Sequence, residues 1–465
     1  MSSIELTRFS GDTICAVSTP QGRGGIAVIR VSGPQAFDIV QCRWQGKPLA
    51  DMASHTVHLG QLTDGNGDVL DQAVLTVFKA PNSFTGEDVV ELACHGSTWI
   101  QQQVIQTLID AGCRHATAGE FTRRAFANGR MDLSQAEAVA DVIEAQSRAA
   151  HRVAMSQMRG RYSDELKGLR DKLLHFTALI ELELDFSEED VTFADRSEVT
   201  SLAREIHTLI SRLADSYREG NAIRNGLPVA IVGQTNAGKS TLLNALLRDD
   251  RALVSNIHGT TRDTIEDTAI MGGTLFRFID TAGIRQSSDT VERMGIERTW
   301  QAINKANVVL WVVDVTSADI SMAHDILARC EGKRLIAVLN KTDLDDDVAA
   351  RSELSDLLPD ETPVVAISAK CDADIEALRS LIVKTASLPD VSGDSVIVTN
   401  ARHYQALTRA RDAIARAING LDSGLSGDLL DQDIRECLHW LGEITGEITT
   451  DNILAEIFTH FCIGK

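Results

Sequence analysis

The chain has 465 residues, of which 43% are hydrophobic and 24% are charged, an ordinary globular composition. This length predicts about two to four domains, each with room for a sizeable core. The formal net charge of −21 and the pI near 5.0 exclude a protein that binds nucleic acid over its whole surface through bulk positive charge, but they leave room for local basic patches.

The cysteine spacing indicates a reducing compartment. No two of the eight cysteines form a Cys-x-x-Cys pair, so a disulfide framework and structural zinc are both disfavoured. The first residues lack the charged-then-apolar order of a secretory signal, and no uncharged apolar run reaches the roughly 18 residues of a membrane span. We therefore expect a soluble, cytoplasmic protein with no membrane partner.

The first half of the chain changes from a mixed pattern to a helical one. Up to about residue 125, short β-rich runs alternate with turns, at Ile26–Val31, Val74–Phe78 and Val89–Ala93. From about residue 132 to 220, apolar steps of three and four predict two long helices, separated by the acidic stretch Ser187–Asp195. The predicted buried faces are Leu166, Leu169, Leu173, Phe176 and Ile180 in the first helix, and Val199, Leu202, Ile206, Leu209 and Leu213 in the second.

From residue 228, β-branched runs alternate with helical segments, which predicts βαβ units and a parallel sheet. The predicted strands are Pro228–Val232, Leu275–Ile279, Val308–Val313, Leu335–Leu339 and Pro363–Ile367. After about residue 390 the helical pattern returns, at Tyr404–Ile418 and Leu429–Leu441. Two interpretations stay open: the α/β segment interrupts one helical bundle, or the two helical segments form separate bundles. The first is favoured, because the ends of an inserted domain usually lie close together.

The expected fold class is α/β plus α. We predict an N-terminal α+β domain at residues 1–128, a helical domain in two parts at 129–223 and 389–465, and an inserted Ras-like P-loop domain at 224–388.

A phosphate-binding motif follows the strand at 228–232. Residues 233–240 read Gly-Gln-Thr-Asn-Ala-Gly-Lys-Ser, which matches G-x-x-x-x-G-K-[ST]. The glycines let successive backbone N–H groups face the phosphates, Lys239 reaches the β- and γ-phosphates, and Ser240 is a ligand for Mg²⁺. The nucleotide-binding residues expected here are Asn236, Ala237, Gly238, Lys239, Ser240 and Thr241.

Further motifs follow in the order of a GTPase, each placed where α/β ligand sites lie. Asp280, Thr281, Ala282 and Gly283 form D-x-x-G, which serves the Mg²⁺ shell and the γ-phosphate. Asn340, Lys341 and Asp343 belong to Asn-Lys-Thr-Asp, whose last carboxylate accepts guanine N1–H and its 2-amino group, a donor pair that adenine lacks. Ser368, Ala369 and Lys370 support the base. Thr261, beside Thr260 in the first switch, is the candidate ligand that closes over Mg²⁺.

The residue that orients the attacking water is not the usual one. Ras-like enzymes place a glutamine directly after D-x-x-G, and here that position is Ile284. The second switch offers charged candidates instead, at Arg285, Glu292, Arg293, Glu297 and Arg298. Asn236 offers a carbonyl oxygen for a monovalent cation beside the phosphates, but asparagine is also simply tolerated in turns.

The whole chain resembles the MnmE (TrmE) family of tRNA-modification GTPases. The matching stretches outside the GTPase motifs are Asp12–Ile14 with Gly22–Gly25, Pro81–Asp88, Gly119–Thr122, Asp132–Ala138 and Phe461–Lys465. The GTPase motifs alone name only a superfamily, whereas the N-terminal blocks and the terminal Cys-x-Gly-Lys are specific to this family.

The resemblance implies a K⁺-dependent GTPase. Asn236 matches the family's K⁺ ligand, and the loop that completes the site matches Ser255, Asn256, Ile257, His258, Gly259, Thr260 and Thr261, with Ser255, Ile257 and Thr260 as the further K⁺ ligands. Such a cation takes the role of an arginine finger. Glu292 matches the family's catalytic glutamate, and Mg²⁺ is held by Ser240 and Thr261.

The resemblance also implies a one-carbon reaction. The N-terminal domain is similar to folate-dependent aminomethyl transferases and binds 5-formyl- or 5,10-methylene-tetrahydrofolate through Arg30, Glu91, Arg130 and Lys465. Arg130 stands where the family has lysine, which keeps the charge and changes the donor geometry. Family members form homodimers through this domain and pair with the FAD-binding flavoprotein MnmG in a heterotetramer. Together they install a 5-aminomethyl or 5-carboxymethylaminomethyl group on the wobble uridine of certain tRNAs.

Several residues keep two interpretations. Cys462 is either an inert thiol or a reactive one near the one-carbon donor. His95 is either structural or lines the folate cleft, since no second metal ligand stands at a suitable spacing. The arginines of two clusters either contact tRNA phosphates or form solvated helix faces, and these are Arg123, Arg124 and Arg130, and Arg402, Arg409, Arg411 and Arg416.

Two other functions compete with a GTPase that gates tRNA modification. An assembly GTPase that docks on ribosomes usually carries a basic RNA-binding domain, which the pI near 5.0 disfavours. The third possible function is a folate aminomethyl transferase to which a regulatory domain is attached. Whether modification stops when hydrolysis alone is lost distinguishes the first from the third.

Overall fold

The computed structural model describes residues 11–185, 196–248, 267–279, 292–317, 320–345, 348–386, 396–425, 427–459 and 461–464. The chain divides into two compact units. The first comprises Met1–Ala140, Gln157–Ala203 and Asp412–Lys465, and the second comprises Asp141–Ser156 and Arg204–Arg411. This division differs from the predicted domain limits at residues 128, 223 and 388, which stay predictions.

The first unit contains a seven-stranded sheet. Its strands are β1 (Ile14–Val17), β2 (Ile26–Ser32), β3 (Trp44–Gln45), β4 (Thr56–Thr63), β5 (Val69–Phe78), β6 (Val89–His95) and β7 (Arg114–His115). Their order is β3-β4-β5-β6-β2-β1-β7, and all neighbours are antiparallel except β1 and β7. The three β-rich runs predicted here are confirmed as parts of β2, β5 and β6.

One face of this sheet forms a core with helices α1 (Ala36–Gln41) and α2 (Thr98–Asp110). Successive side chains of a strand point to opposite faces, so alternate residues such as Ile29, Leu75 and Leu92 are buried there. On the other face, α3 (Glu120–Ala127) covers β1 through Phe121. The β4 side of that face stays open, and Val57 and Leu59 are 62% and 66% exposed there.

The remaining helices of the first unit surround small apolar clusters. Helices that lie wholly or partly in this unit are α4 (Leu133–Glu144), α5 (Arg148–Met158), α6 (Arg161–Asp185), α7 (Arg196–Asp215), α14 (Ala401–Asp422), α15 (Gly427–Thr445) and α16 (Asp451–Thr459). The predicted buried face of α6 is confirmed. Helix α6 packs against α15, so helices from before and after the α/β segment share one unit, as the single-bundle interpretation requires.

The predicted face of α7 is wrong at two positions. Val199, Ile206 and Leu213 are buried, but Ala203 and Ile210 complete the buried face in place of Leu202 and Leu209. At about 100° per residue, the true face is rotated by about 40°. The small Ala203 carries little apolar signal, which is why the prediction followed the larger leucines. The acidic stretch Ser187–Asp195 lies outside the described residues.

The second unit contains a six-stranded sheet in the order β13-β12-β11-β8-β10-β9. Its strands are β8 (Leu227–Val232), β9 (Asp267–Met271), β10 (Thr274–Phe278), β11 (Val308–Asp314), β12 (Arg334–Asn340) and β13 (Val364–Ile367). The five predicted strands are confirmed and lie parallel. The expectation of a wholly parallel sheet is wrong, because β9 pairs antiparallel with β10 across the turn Gly272–Gly273.

Helices cover both faces of this sheet, as in a doubly wound fold. They are α8 (Tyr217–Asn225), α9 (Lys239–Leu246), α10 (Glu292–Lys305), α11 (Ala323–Arg329), α12 (Val348–Ser355) and α13 (Asp372–Ala386). Helices α9 and α13 bury one set of alternate strand residues, and α10, α11 and α12 bury the other. The fold class is therefore α/β plus α.

Candidate functional site

The phosphate-binding motif forms the turn between β8 and α9. Gly233 has φ +145 and Gly238 has φ +92, a region that favours glycine. A Cβ on Gly233 would lie 2.2 Å from the Val312 carbonyl oxygen, and one on Gly238 would lie 2.2 Å from Asn340 Nδ2. Both glycines are therefore required by close packing as well as by backbone conformation.

The loop exposes backbone N–H groups at the start of α9, which is a ready site for anions. Lys239 donates from Nζ to the carbonyl oxygens of Gly233 at 2.9 Å and Gln234 at 2.6 Å. Burial lowers the pKa of this ammonium group. Ser240 and Thr241 follow in the first turn of the helix, and Asn236 is exposed, with a left-handed φ of 64.

The base-reading motif follows β12 and is tied to the phosphate loop. Asn340, at 1% exposure, donates from Nδ2 to the Ala237 carbonyl oxygen at 2.8 Å and accepts the Ala369 N–H at 3.0 Å. One amide thus joins three motifs that are separated by 103 and 29 residues. The structure brings these predicted residues together at the carboxyl ends of parallel strands.

Asp343 is exposed but held in position. Its carboxylate accepts the Ser368 hydroxyl at 2.8 Å and Lys370 Nζ at 3.2 Å. These two bonds, the serine first, lower the pKa of Asp343 below its usual range. The group is therefore an acceptor at neutral pH, as the pairing with guanine requires.

The switch residues fall mostly outside the described part of the chain. The predicted site residues there are Ser255, Asn256, Ile257, His258, Gly259, Thr260, Thr261, Asp280, Thr281, Ala282 and Gly283. Ile284 and Arg285 lie there as well. Glu292 is described only by its backbone, as the first residue of α10.

Asp314, which the motif search did not select, lies in the same region. It ends β11, and its Oδ2 lies 2.5 Å from Lys341 Nζ. Its Oδ1 accepts the Thr316 N–H at 3.0 Å and the Thr316 hydroxyl at 2.7 Å. The signal in the sequence is an Asp-x-Thr turn directly after a buried strand.

In the first unit, Arg30 and Glu91 are partners. They face each other in the register of β2 and β6, and Arg30 Nη2 lies 2.8 Å from Glu91 Oε1. The Arg30 guanidinium lies 5.3 Å from the Phe84 ring centroid and 5.6 Å from that of Phe121.

Phe84 also lines a cavity of about 430 Å³. The other lining residues are His55, Phe78, Asn82, Ser83 and Arg130. Phe84 therefore contacts the Arg30–Glu91 pair through Arg30 and shares this cavity with Arg130. Lys465 lies outside the described residues.

A buried ion network lies behind this cavity. Arg124 is fully buried and donates to the backbone and carboxylate of Asp12 at 2.9 and 2.8 Å, to Glu87 at 3.1 Å and to Glu120 at 3.1 Å. Arg114 also bonds Asp12 and Glu120. The tRNA contact considered for Arg124 is wrong, because its guanidinium group is inaccessible and paired with three carboxylates.

Two of the four arginines in the second cluster are paired with carboxylates. Arg416 pairs with Asp433 and Glu436, and Arg411 Nη1 lies 3.5 Å from Asp215. These pairs favour the solvated helix face over tRNA contact at both positions, because the positive charge is already matched. Arg402 donates to the neighbouring His403 ring at 3.0 Å.

The segment after α16 adds to the N-terminal sheet. Ile463 forms an isolated antiparallel bridge with Ala118, and the Ser18 hydroxyl donates to the Gly464 carbonyl oxygen at 3.1 Å. A Cβ on Gly464 would lie 2.3 Å from the Val17 carbonyl oxygen. Cys462 is exposed, which a reactive thiol requires, but exposure alone does not decide between its two interpretations.

His95 is paired with a carboxylate. It is exposed, and its Nδ1 lies 2.7 Å from Asp71 Oδ1. Within the described ranges, no group of three or more His, Cys, Asp or Glu side chains is arranged to hold a metal ion. All eight cysteines are free.

Two family models match almost the entire chain. The model of the MnmE helical domain matches residues 133–462, and that of the GTP-binding protein TrmE N-terminus matches residues 13–130. The chain belongs to the MnmE family.

Curated relatives named tRNA modification GTPase MnmE match over their full length. The one from Bacteroides thetaiotaomicron is 55% identical, with 98% of this chain and 99% of that protein covered. The one from Parabacteroides distasonis is 53% identical, with 97% and 100% covered. The one from Cytophaga hutchinsonii is 48% identical, with 100% of both covered. The MnmE relationship therefore extends over both units.

Solved structures match about a third of the chain. The G domain of the T. maritima FeoB iron transporter is 26% identical with a TM-score of 0.26, and the match covers 35% of this chain and 99% of that one. The elongation factor SelB of Methanococcus maripaludis, in complex with the GTP analogue GppNHp, is 17% identical with a TM-score of 0.27. That match covers 34% of this chain and 33% of the other.

A search of the described helices found none with the length and apolar character needed to cross a bilayer.

Proposed function

We propose that this MnmE family member hydrolyses GTP, and that hydrolysis gates the modification of the wobble uridine of certain tRNAs. The observation that carries the proposal is the Asn340 side chain, whose amide joins the phosphate loop to the base-reading and base-supporting motifs. A convergence of this kind builds a site for a complete guanine nucleotide, from phosphates to base.

The phosphate end of the site contains donors that fit two metal ions. Ser240 supplies a hard hydroxyl oxygen for Mg²⁺ at the start of α9, together with Thr261. Asn236, with Ser255, Ile257 and Thr260, supplies neutral oxygens that suit K⁺. When bound, these cations neutralise charge on the phosphoryl group.

Side chains of the protein bind the phosphates, select guanine and orient the attacking water. Lys239 exchanges its two carbonyl partners for phosphate oxygens, and Asp343 selects guanine. Glu292 orients the attacking water, because Ile284 cannot.

The N-terminal cavity binds a reduced folate in this proposal, either 5-formyl- or 5,10-methylene-tetrahydrofolate. Arg130 attracts the glutamate tail, and Glu91, held by Arg30, accepts from the pterin N–H edge. Lys465 adds a further positive charge. Phe84 provides an apolar surface for the flat pterin ring. Cys462 acts either as a nucleophile toward the one-carbon unit or as an inert residue of the docked segment.

A second copy of the chain covers the open sheet face in this proposal. The face carries Val57, Leu59 and Ile26 at 62%, 66% and 69% exposure beside the Arg30–Glu91 pair. Among the described strands, β3 pairs only with Leu62 and Gln61 of β4, so the rest of that edge lacks a neighbour. Exposed apolar patches of this kind mark interaction sites.

Further partners complete the proposed reaction in the cytoplasm. The homodimer joins an MnmG-like FAD protein in a heterotetramer, and FAD is bound by the partner. The tRNA receives a 5-aminomethyl or 5-carboxymethylaminomethyl group.

The test is Glu292→Ala in the full chain, with Glu297→Ala as the control from the same helix. We expect Glu292→Ala to bind GTP normally and to hydrolyse it at least about 100-fold more slowly. Modification of tRNA, measured with the flavoprotein and reduced folate present, should stop. Normal turnover would refute the role of Glu292, and modification that continues without hydrolysis would refute gating.

A further inference from the structure

The side chain of Lys341, in the base-reading motif, is supported from outside the recognised GTPase motifs. Asn340 before it is held by the phosphate loop, and Asp343 after it is held by Ser368 and Lys370. Lys341 itself has φ 73, a left-handed conformation that is unfavourable for a residue with a side chain. A residue in this conformation persists only where its surroundings fix it.

Asp314 provides this support from the neighbouring strand. Asp314 and Asn340 are paired in the register of β11 and β12, and the Val315 N–H donates to the Asn340 carbonyl oxygen at 3.1 Å. The Asp314 carboxylate therefore stands beside Lys341, with Oδ2 at 2.5 Å from Nζ. The two side chains are only 13% and 28% exposed, so salt screens the pair less than it screens a surface pair.

The carboxylate is itself fixed. Thr316 donates to Oδ1 through both its N–H and its hydroxyl group. Burial alone would raise the pKa of Asp314, but the hydrogen bonds from Lys341 and Thr316 bring it below its usual range. Asp314 is therefore charged at neutral pH.

The segment after β11 also reaches the phosphate loop. Gln234 of that loop donates from Nε2 to the Ser321 hydroxyl at 2.8 Å. Residues near Asp314 in sequence thus contact both ends of the nucleotide site. A nucleotide that extends from the loop to Asp343 passes Lys341, because Lys341 lies between the two.

We propose that Asp314, supported by Thr316, is a positioning residue of the nucleotide site, which holds Lys341 against the bound guanine nucleotide and slows its release. A flexible lysine loses rotamer entropy when it is ordered. Asp314 orders Lys341 before the ligand arrives, so this cost does not fall on binding. The proposal rests on the chain being a GTPase that binds guanine nucleotides.

The experiment is a double-mutant cycle on the full chain, read by the dissociation rate of N-methylanthraniloyl-GDP. Asp314→Asn should release the nucleotide about 10-fold faster, which corresponds to about 1.4 kcal/mol. Lys341→Met keeps most of the stem and loses the ammonium group, and it should also accelerate release. In the Lys341→Met background, Asp314→Asn should change the rate by less than about twofold, because the ammonium group that Asp314 positions is already absent.

The matched control is Asp356→Asn, which removes an exposed carboxylate from the same unit and should leave release unchanged. Thr316→Val keeps the charge and removes one donor, so it should give a smaller acceleration of about threefold. If Asp314→Asn fails to fold, the cycle of Thr316→Val with Lys341→Met decides instead. In steady-state hydrolysis, Asp314→Asn should raise KM and leave kcat unchanged.

The outcomes separate this proposal from the function on which it rests. Failure of the unaltered chain to bind the fluorescent GDP would overturn the proposed GTPase itself. If the unaltered chain binds the fluorescent GDP, additive effects of Asp314→Asn and Lys341→Met on the release rate would overturn the positioning role of Asp314. A lower melting temperature with unchanged release would do so as well, since it would show that the pair only stabilises the fold.

Discussion

Asp343 presents its carboxylate at the surface with its orientation fixed by two neighbours. Ser368 and Lys370 each occupy an oxygen from one side, and the remaining lone pairs face solvent. A short side chain held in this way recognises a donor pair at a defined spacing. The specificity of the site for guanine therefore depends on one acceptor group, and a single substitution can replace this acceptor by a donor.

Asp343→Asn should shift the preference from guanine to xanthine nucleotides. The new amide donates where the carboxylate accepted, and xanthine offers a carbonyl oxygen where guanine has its 2-amino group. We expect the affinity for GTP to fall roughly 100-fold or more and that for XTP to rise, measured by competition with a fluorescent nucleotide. Unchanged affinity for GTP would contradict the role given to Asp343.

Glu120 makes the folding stability of the first unit depend on pH. Burial raises the pKa of this carboxyl, but hydrogen bonds from Arg114, the Thr117 N–H and Arg124 outweigh it and bring the pKa to about 2, from an ordinary value of 4.5. Because the folded value is depressed, the stabilisation is complete above about pH 4.5 and is lost as the pH falls toward 2. The shift corresponds to roughly 3 kcal/mol at neutral pH.

Glu120→Gln should therefore lower the melting temperature at pH 7 and flatten its fall between pH 5 and pH 3. Differential scanning calorimetry of the full chain measures both effects. As a control, Glu376→Gln on the exposed surface of α13 should follow the unaltered chain. An equally steep acid dependence in Glu120→Gln would show that other groups cause it.

At the scale of single elements, the strands of the second unit were the most predictable part. Their apolar runs end at motifs that fix both position and direction, so β8, β10, β11, β12 and β13 could all be placed. Strand β9 was missed, because Asp267 and Thr268 give it a polar start.

The partner of a buried charge could not be predicted. The sequence shows that Arg124 is charged, but it does not show that folding brings the carboxylate of Asp12, 112 residues away, against it. Asp314 was not predicted as a site residue for the same reason, since its partner Lys341 follows another strand, β12.

Strands β2, β4, β5 and β6 present one sheet face without a covering helix at its β4 side. Val57, Leu59 and Ile26 are exposed apolar side chains of this face, whereas the opposite face forms the core. An exposed apolar patch of this kind favours a second covering. The second is a copy of the chain in the proposed homodimer.

Leu59→Lys should weaken this dimer at least about 100-fold, because it buries an unpaired charge in the interface. Light scattering after size exclusion, over a dilution series, measures the change. The control is Leu429→Lys on α15, which alters an exposed leucine away from the sheet and should leave the mass unchanged. A monomer in the unaltered chain, or an unchanged dimer in Leu59→Lys, would exclude this face.

At the scale of the whole molecule, both units are discontinuous in sequence. The boundaries at Ala140, Ser156, Ala203 and Arg411 each fall within a helix, namely α4, α5, α7 and α14. The four boundaries therefore lie in helical segments. In the second unit, the Ala149 N–H at the start of α5 donates to the Gly273 carbonyl oxygen in the turn between β9 and β10.

Potassium should accelerate GTP hydrolysis over sodium at equal ionic strength. The proposed K⁺ site neutralises charge on the phosphoryl group, which Na⁺ does less well because it is smaller and does not fit the same ligands. Steady-state phosphate release in KCl and NaCl measures it, and Asn236→Ala should reduce the difference to about twofold or less. Equal rates in the two salts for the unaltered chain would remove the role given to Asn236.

The bridge from Gly464 to Ser18 has a consequence during synthesis on the ribosome. The two residues are separated by 446 positions, so at roughly 5–20 residues per second the strand β1 emerges about 20 to 90 seconds before the segment that docks beside it. During this interval the end of β1 at Val17 and Ser18 lacks its contact with Gly464. An unfinished translation product, released before residue 464, never makes this contact, and such fragments should be the form that chaperones and proteases recognise.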